Sequence, residues 1–482
     1  MRPVLPHTVQ SQTFEVEVSG SESDAMALQR RLAALSASLM PVIEQALDRY
    51  APEHGILRID RLEVDAGRVA LGRLEGELPA LLRRGLEEAL GARIGLARDG
   101  EEAVRHVGIT QALDEALSYF LRYATLPPSV HLAPSQHFEQ MLMECWRGAS
   151  APPGEARLSA GVAGTAAGLP SVSPALMAAL RSSGALDRLG RQFSSAFQQL
   201  LVARLTPVLG PALQSALQYL RTQDQGGLLA AAERLLCRAA LELALDDRAT
   251  VDALPVQEGL WRGPPERAAR AALSVVRQAH VEKRPVPALL KKGAAADARR
   301  APDATGQLST RDSVEHPDSA HGIYIDNAGL VLLHPFLPAL FEELGLARDG
   351  ELLQPARALA LLHYLASGQP QAPEYALALP KLLCHLPLTS SPEPVMLHAA
   401  EQAEAEALLK AVIGHWSALR DTSPDGLRGA FLLRPGKLSE RGGEWLLQVE
   451  RQTADILLGG LPWGYSAIRL PWMAGILWVE WN

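Results

Sequence analysis

The sequence predicts an α+β fold that is mostly α-helical, with small strand-containing terminal domains flanking a helical, linker-bounded middle. Three observations carry this prediction. Charge divides the chain into parts of different sign: 15 basic against 21 acidic residues give −6 over 1–150, 20 against 16 give +4 over 151–322, and 11 against 17 give −6 over 323–482. Aromatic residues follow the same division, since only four of the 24 (Phe193, Phe197, Tyr219 and Trp261) lie in the middle and 13 lie in the last 160 residues. Rings supply area and shape to a core, so the two ends build specific cores more readily than the middle. Two stretches, Gly148 to Ser173 and about Lys283 to Gly322, are dominated by small, polar and charged residues and read as linkers. The predicted organisation is an N-terminal α+β domain at 1–147, a flexible linker at 148–173, a helical middle at 174–281, a disordered linker at 282–322 and a Trp-rich α+β domain at 323–482.

At the N-terminus, Phe14, Val16 and Val18 alternate with Glu15 and Glu17 at the period of a half-buried strand. The positions Leu28, Leu32, Leu35, Leu39, Val42 and Ala46 then step by three and four, which predicts a helix with a narrow apolar seam packed on its own sheet and kinked at Pro41. Ile56 to Val64 reads as a second strand. Leu57 and Ile59 alternate in one phase and Leu62 and Val64 in the other, so a bulge near Asp60 or Arg61 is expected. Helices near 77–94, 111–124 and 135–147 complete this domain.

In the middle, Leu186, Leu189, Phe193, Phe197 and Leu200 predict one helical stripe, and Leu209, Leu213, Ala216 and Leu220 the next, separated by Thr206-Pro207. Gln225-Gly226-Gly227 ends the second helix before the stripe Leu229, Ala232, Leu236, Ala239 and Leu243. Short helices with short connections fold back as antiparallel neighbours, so a small bundle is expected.

Composition and motifs exclude several functions. With 48% hydrophobic residues the chain is too apolar to be disordered overall. A net charge of −8 offers a polyphosphate backbone no general attraction, so no nucleic-acid partner is expected. The first residues lack a secretory apolar stretch, and Leu158 to Leu180, the longest uncharged run, has the composition of a linker; neither a signal peptide nor a membrane span is expected. Cys145, Cys237 and Cys384 are too far apart in sequence for a metal knuckle or a disulfide framework and are expected as buried thiols. None of the 13 histidines falls in H-E-x-x-H or in an i, i+4 pair, and His131, His137, His316 and His321 sit in loop-like sequence.

Cys384-His385 does not make a nucleophile, because neighbouring residues on a helix point ~100° apart. Gly429 to Lys437 fails as a phosphate loop, with six residues between the glycines of the match and Leu438 where a hydroxyl is needed. Asp60, Glu63 and Asp65 are interleaved with Arg58, Arg61 and Arg68, which favours ion pairs over a carboxylate site. No G-x-S-x-G elbow occurs. Nothing here argues for an enzyme, a metal or a cofactor.

Six of the eight tryptophans, Trp416, Trp445, Trp463, Trp472, Trp478 and Trp481, fall within the last 67 residues. Interfaces use Trp heavily, while Trp445 and the alternating end from Trp478 to Trp481 also suit a sheet core.

The string Ile325-Asp326-Asn327-Ala328-Gly329-Leu330, continuing through Leu333-His334-Pro335-Phe336-Leu337 to Leu340-Phe341-Glu342, resembles the hallmark of the tape measure proteins of contractile injection systems. Further blocks follow in the same order. Arg357-Ala358 with Leu361 to Gly368 and Lys381 to Cys384 is similar to the next block; His415-Trp416, Leu419, Ser423, Gly426 to Arg428, Phe431 and Gly436 to Leu438 to another; and Leu461 to Gly464, Leu470 to Met473 and Val479 to Trp481 to the ending. Ile59 to Asp65 with Gly67 resembles the first strand motif of the family. The likeness covers about 5–75 and 323–482, and Ala66, His385 and Pro435 depart from its pattern.

The resemblance implies a structural or assembly component of a phage-tail-like contractile particle, with inner tube, hub or baseplate proteins as partners and homo-oligomer formation as an option. It implies no catalytic residue and no cofactor. It places the chain in the cytoplasm during assembly, with retention in the released particle left open. A transient assembly chaperone or cargo-loading module is the alternative role. A ruler must be extended, yet the stretch Pro174 to Ala279 would reach only ~160 Å as one helix, at ~1.5 Å per residue. Folded ends therefore suit a compact assembly factor better than a literal ruler. The residues expected to make contacts are Asp326, Asn327, His334, Pro335 and Phe336 at the entry of the C-terminal domain, and Trp416, Trp463, Trp472 and Trp481 near its end. Locally, Asp326 to Gly329 also suits a turn and cap leading from a strand at Ile323 to Ile325 into a helix.

Overall fold

The structure is a computed structural model that describes residues 39–52, 56–97, 104–130, 137–148, 171–182, 184–207, 209–223, 229–245 and 322–481, with isolated positions at 7, 9, 12, 13, 15–17, 28, 35 and 132. It is α+β and mostly helical. Two compact units divide the chain, one formed by 1–114 and 128–145 and the other by 115–127 and 146–482.

The first unit is built on helix packing. Residues 39–50 are helical, continuing through Pro41. They bury Leu39, Ile43 and Ala46, with Leu28, against Leu74, Leu78, Leu82, Leu86 and Leu90 of helix α1 (Leu74–Ala97). The i, i+4 spacing of those leucines puts them on one face of α1. The apolar seam thus packs on a helix and not on a sheet, and Ile43, not Val42, is its buried residue; Leu32 lies outside the described residues.

Strand β1 (Ile56–Ile59) pairs antiparallel with β2 (Val104–Val107), Ile56 opposite Val107. The expected strand to Val64 ends at Ile59, so no bulge is needed. From Arg61 to Ala70 the chain forms no ladder, and Leu62, Val64 and Ala66 lean on the α1 core. Gly85 permits this approach, because a Cβ there would lie 2.5 Å from the carbonyl oxygen of Asp65. The expected strand at 14–18 is not formed at its described residues: Glu15, Val16 and Glu17 are exposed and outside any strand, and Val16 is 50% exposed. Phe14 and Val18 lie outside the described residues. Helices α2 (Ile109–Tyr123) and α3 (Phe138–Gly148) follow.

In the second unit, the described residues of the middle form five helices: α4 (Pro174–Leu180), α5 (Ala185–Gln192), α6 (Ser195–Leu205), α7 (Leu209–Gln223) and α8 (Leu229–Leu245). The stripe expected as one helix from Leu186 to Leu200 is two. Phe193 is extended, and the Ser194 hydroxyl accepts the Phe197 amide at 3.2 Å, starting α6. The N-cap bond outweighs the apolar spacing that runs across the break. Helices α6, α7 and α8 pack on one another. Phe193 and Phe197 stack 4.4 Å apart, and Trp146 stacks on Phe197 at 5.2 Å.

The C-terminal residues carry a five-stranded mixed sheet in the order β3 (Ile323–Ile325), β6 (Gly436–Arg441), β7 (Glu444–Val449), β9 (Leu477–Trp481), β8 (Ala467–Ile468), in which only β7 and β9 run parallel. Helices α9 (Leu337–Glu343), α10 (Pro355–Ser367), α11 (Ala378–Leu383), α12 (Ala399–His415) and α13 (Pro424–Leu427) share one apolar core with it, and the short hairpin β4 (Ala347–Arg348) and β5 (Glu351–Leu352) joins α9 to α10. Both hairpins turn on two residues with positive φ, Asp349-Gly350 and Gly442-Gly443, the geometry that right-twisted strands favour. The strand at Ile323–Ile325 is as expected, but Asp326-Asn327 leads into a 3-10 helix over Ala328–Leu333 and not directly into an α-helix. Gly329 explains the tight path: a Cβ would lie 1.6 Å from the Phe431 carbonyl oxygen. Cys384 and His385 follow the end of α11, with Cys384 buried and His385 exposed at φ 53°.

Candidate interaction surface

One apolar core fills the C-terminal part, and every buried member lies between Ile323 and Val479. The tryptophans divide between this core and its rim. Trp416 is fully buried at 0% exposure, donates its indole N–H to the Leu457 carbonyl at 3.1 Å and sits 4.7 Å from the Phe431 ring. Trp472 lies flat on Phe341 at 5.2 Å and donates to the Leu383 carbonyl at 2.7 Å. Trp481 donates to Asp455 at 3.0 Å beneath the Arg434 guanidinium and meets Tyr465 edge to face. Each of these indoles has its polar atom satisfied inside the fold, as half-buried and buried indoles require.

The hallmark string divides as well. Asn327 is buried and donates its side-chain amide to the Ala376 carbonyl at 3.0 Å; Asp326 is exposed. His334 is half-buried, its Nδ1 2.9 Å from the Val331 carbonyl oxygen, and burial lowers its pKa. Pro335 is exposed, and the half-buried Phe336 meets Trp463 edge to face at 5.0 Å and His415 at 5.9 Å. Trp463 in turn donates to the Leu332 carbonyl at 3.0 Å. The fold thus gathers Phe336 and Trp463, 127 positions apart in sequence, beside His415 and next to Pro335. It does not bring Asn327, Trp472 or Trp481 to them.

Sequence reasoning missed the most exposed apolar side chain here. Ile456, on the 3-10 helix Thr453–Gly460, is 84% exposed, and Leu457 beside it is also exposed. Leu457 is tied to this region through the Trp416 indole bond. The signal was present in Ile456-Leu457-Leu458-Gly459-Gly460, three apolar residues closed by two glycines, of which only Leu458 is buried. An exposed ring, Trp478 at 44%, lies on the outer sheet face with its indole N–H on Glu444 and with Leu446 and Arg441 nearby.

The chemistry of the described residues is that of packing and ion pairing. No group of three His, Cys, Asp or Glu among them is placed to hold a metal ion. Burial pushes the Cys237 thiol up to about 12 and the Cys384 thiol higher still, so neither supplies a thiolate near neutral pH. Burial lowers the pKa of His363 to about 4, against a weaker opposing hydrogen bond from its ring to the Gln371 backbone. Burial alone would raise the Asp455 carboxyl, but bonds from Arg434, the Gln452 amide and Trp481 hold it below the usual carboxylate range. No helix among the described residues is long and apolar enough to cross a membrane.

No curated protein and no solved structure matches the chain. A family model does: the model for the contractile injection system tape measure protein matches residues 6–481, across both units and the middle between the blocks read from the sequence. By that match the chain belongs to the contractile injection system tape measure protein family.

Proposed function

We propose that this chain is a folded assembly component of a phage-tail-like contractile particle, supporting formation of the inner tube by docking on tube, hub or baseplate proteins. The observation that carries this reading is the family match over 6–481. The fold supports the mode of action. The longest described helix has 24 residues and reaches ~36 Å, and the middle helices turn back on one another instead of forming a rod. The docking surface in this reading is the region of Pro335, Phe336 and Trp463 with Leu457 and Ile456. Half-buried rings together with exposed aliphatic side chains, Ile456 above all, have the composition of an interface centre.

The test is Ile456→Asp with Leu457→Asp. The expected result is a chain of unchanged fold that no longer supports normal particle yield by electron microscopy. Normal yield would refute docking through this surface.

A further inference from the structure

The middle helices and the C-terminal part meet at a buried ionic joint. Arg188 on α5 is 4% exposed and Glu374 is fully buried, and the Arg188 Nε lies 3.2 Å from each Glu374 carboxylate oxygen. The same guanidinium donates to the carbonyls of Leu121 and Thr389. Glu374 also accepts from Lys381 Nζ at 3.2 Å and Ser391 Oγ at 3.0 Å, and its backbone amide donates to the Gln192 side chain at 3.1 Å. Arg191, one turn of α5 further on, donates to the Ser391 carbonyl and pairs with Glu393 at 3.7 Å.

Apolar packing is organised differently. Among the described residues, the C-terminal core contains none from the middle helices, and α6, α7 and α8 bury their leucines against each other. Phe120 is an aromatic link, 5.8 Å from Phe193 and 6.2 Å from Tyr375. Charged groups regain hydration when such a joint opens, whereas an apolar core loses its burial without return. Opening at the joint therefore leaves each core closed, the behaviour of a cooperative subunit within a domain. The hallmark residue Asn327 acts on this joint, since its amide holds the carbonyl of Ala376 in the 3-10 turn Glu374–Ala376.

We infer that helices 174–245 form a separable arm held on the C-terminal part by the Glu374 joint, and that Asn327 is a positioning residue that sets the turn carrying Glu374. The inference is independent of docking through Ile456. It gives the chain two states, arm docked and arm released, selected by whatever neutralises or competes for Glu374.

Hydrogen exchange of the full chain tests it. Glu374→Gln leaves Arg188 and Lys381 without their counter-charge. Exchange is expected to rise at least tenfold in 185–205 while 355–367 and 436–449 keep their protection, and Asn327→Ala should give the same regional pattern with a smaller rise. Should Glu374→Gln not fold, Ser391→Ala removes a single bond to the carboxylate and is expected to raise exchange a few-fold in 185–205 alone. Unchanged exchange in 185–205, or an equal rise in all three regions, would overturn the inference.

Discussion

Arg434 and Asp455 form a two-point ion pair, with Nη1 2.8 Å from Oδ1 and Nη2 2.8 Å from Oδ2. Arg434 is fully buried and also donates to the carbonyls of Ala430 and Glu450, while the Trp481 indole bonds to the same carboxylate. The pair therefore ties the entry of β6 and the last strand to the 3-10 helix that presents Ile456.

Removing one partner of such a pair strands a buried charge, which costs ~3–5 kcal/mol. Asp455→Asn is accordingly expected to lower the stability of the C-terminal part by about that amount. Urea unfolding followed by Trp fluorescence measures it; a loss under ~1 kcal/mol, the scale of an exposed pair, would show that the pair is solvated.

Gly329→Ala places a methyl 1.6 Å from the Phe431 carbonyl oxygen, a backbone atom that cannot swing aside. The expected cost is ~3 kcal/mol or more, with loss of the 3-10 turn that leads to Phe336. Thermal unfolding of the variant gives the answer, and an unchanged Tm would mean that the chain takes another path between Asn327 and His334.

Lys381 is 1% exposed, and burial lowers its pKa to about 8, partly opposed by Glu374 and reinforced by Arg188. The unfolded chain holds its lysine proton up to a pKa of ~10.4. Between about pH 8 and ~10.4 the unfolded state thus binds more protons, and this group makes stability rise with pH. Lys381→Met should remove that contribution, seen as a smaller difference in unfolding midpoint between about pH 7.5 and about pH 9.5. An identical pH dependence in the two proteins would contradict the buried amine.

His363 works on the acid side. Its pKa of about 4 lies below the ordinary ~6.5, so the unfolded state takes up the proton first as pH falls and stability drops through that window. His363→Gln is expected to weaken the acid sensitivity between those values, read from chemical unfolding at stepped pH.

Much of this fold is legible in residue spacing, and what is hidden has identifiable causes. The helix at 39–50 follows from apolar periodicity, α1, α2 and α3 stand close to the expected ranges, and Thr206-Pro207 marks the end of α6, while Gln225-Gly226-Gly227 lies outside the described residues. Strand β2 escapes because Val104-Arg105-His106-Val107 is four residues with no run to show a period. The break at Phe193-Ser194 escapes because Phe193 and Phe197 keep helical spacing across it, although Ser194 is a good N-cap. The Arg188–Glu374 joint spans 186 positions and leaves no local pattern.

At the candidate surface, composition points to tryptophan but cannot assign faces. Trp416 and Trp478 are the same residue type, one fully buried and one 44% exposed, because the register of β9 turns Trp478 outward while Trp416 follows α12 into the core. Ile456 has no periodic partner: the run Ile456-Leu457-Leu458 before two glycines marks an apolar patch, but which of the three is buried is set by the 3-10 helix Thr453–Gly460.

Inner-tube length, measured by electron microscopy in particles assembled with Pro174 to Ala279 duplicated, separates a folded assembly component from a literal ruler. A folded component leaves the length unchanged. Lengthening by ~1.5 Å for each added residue would contradict it.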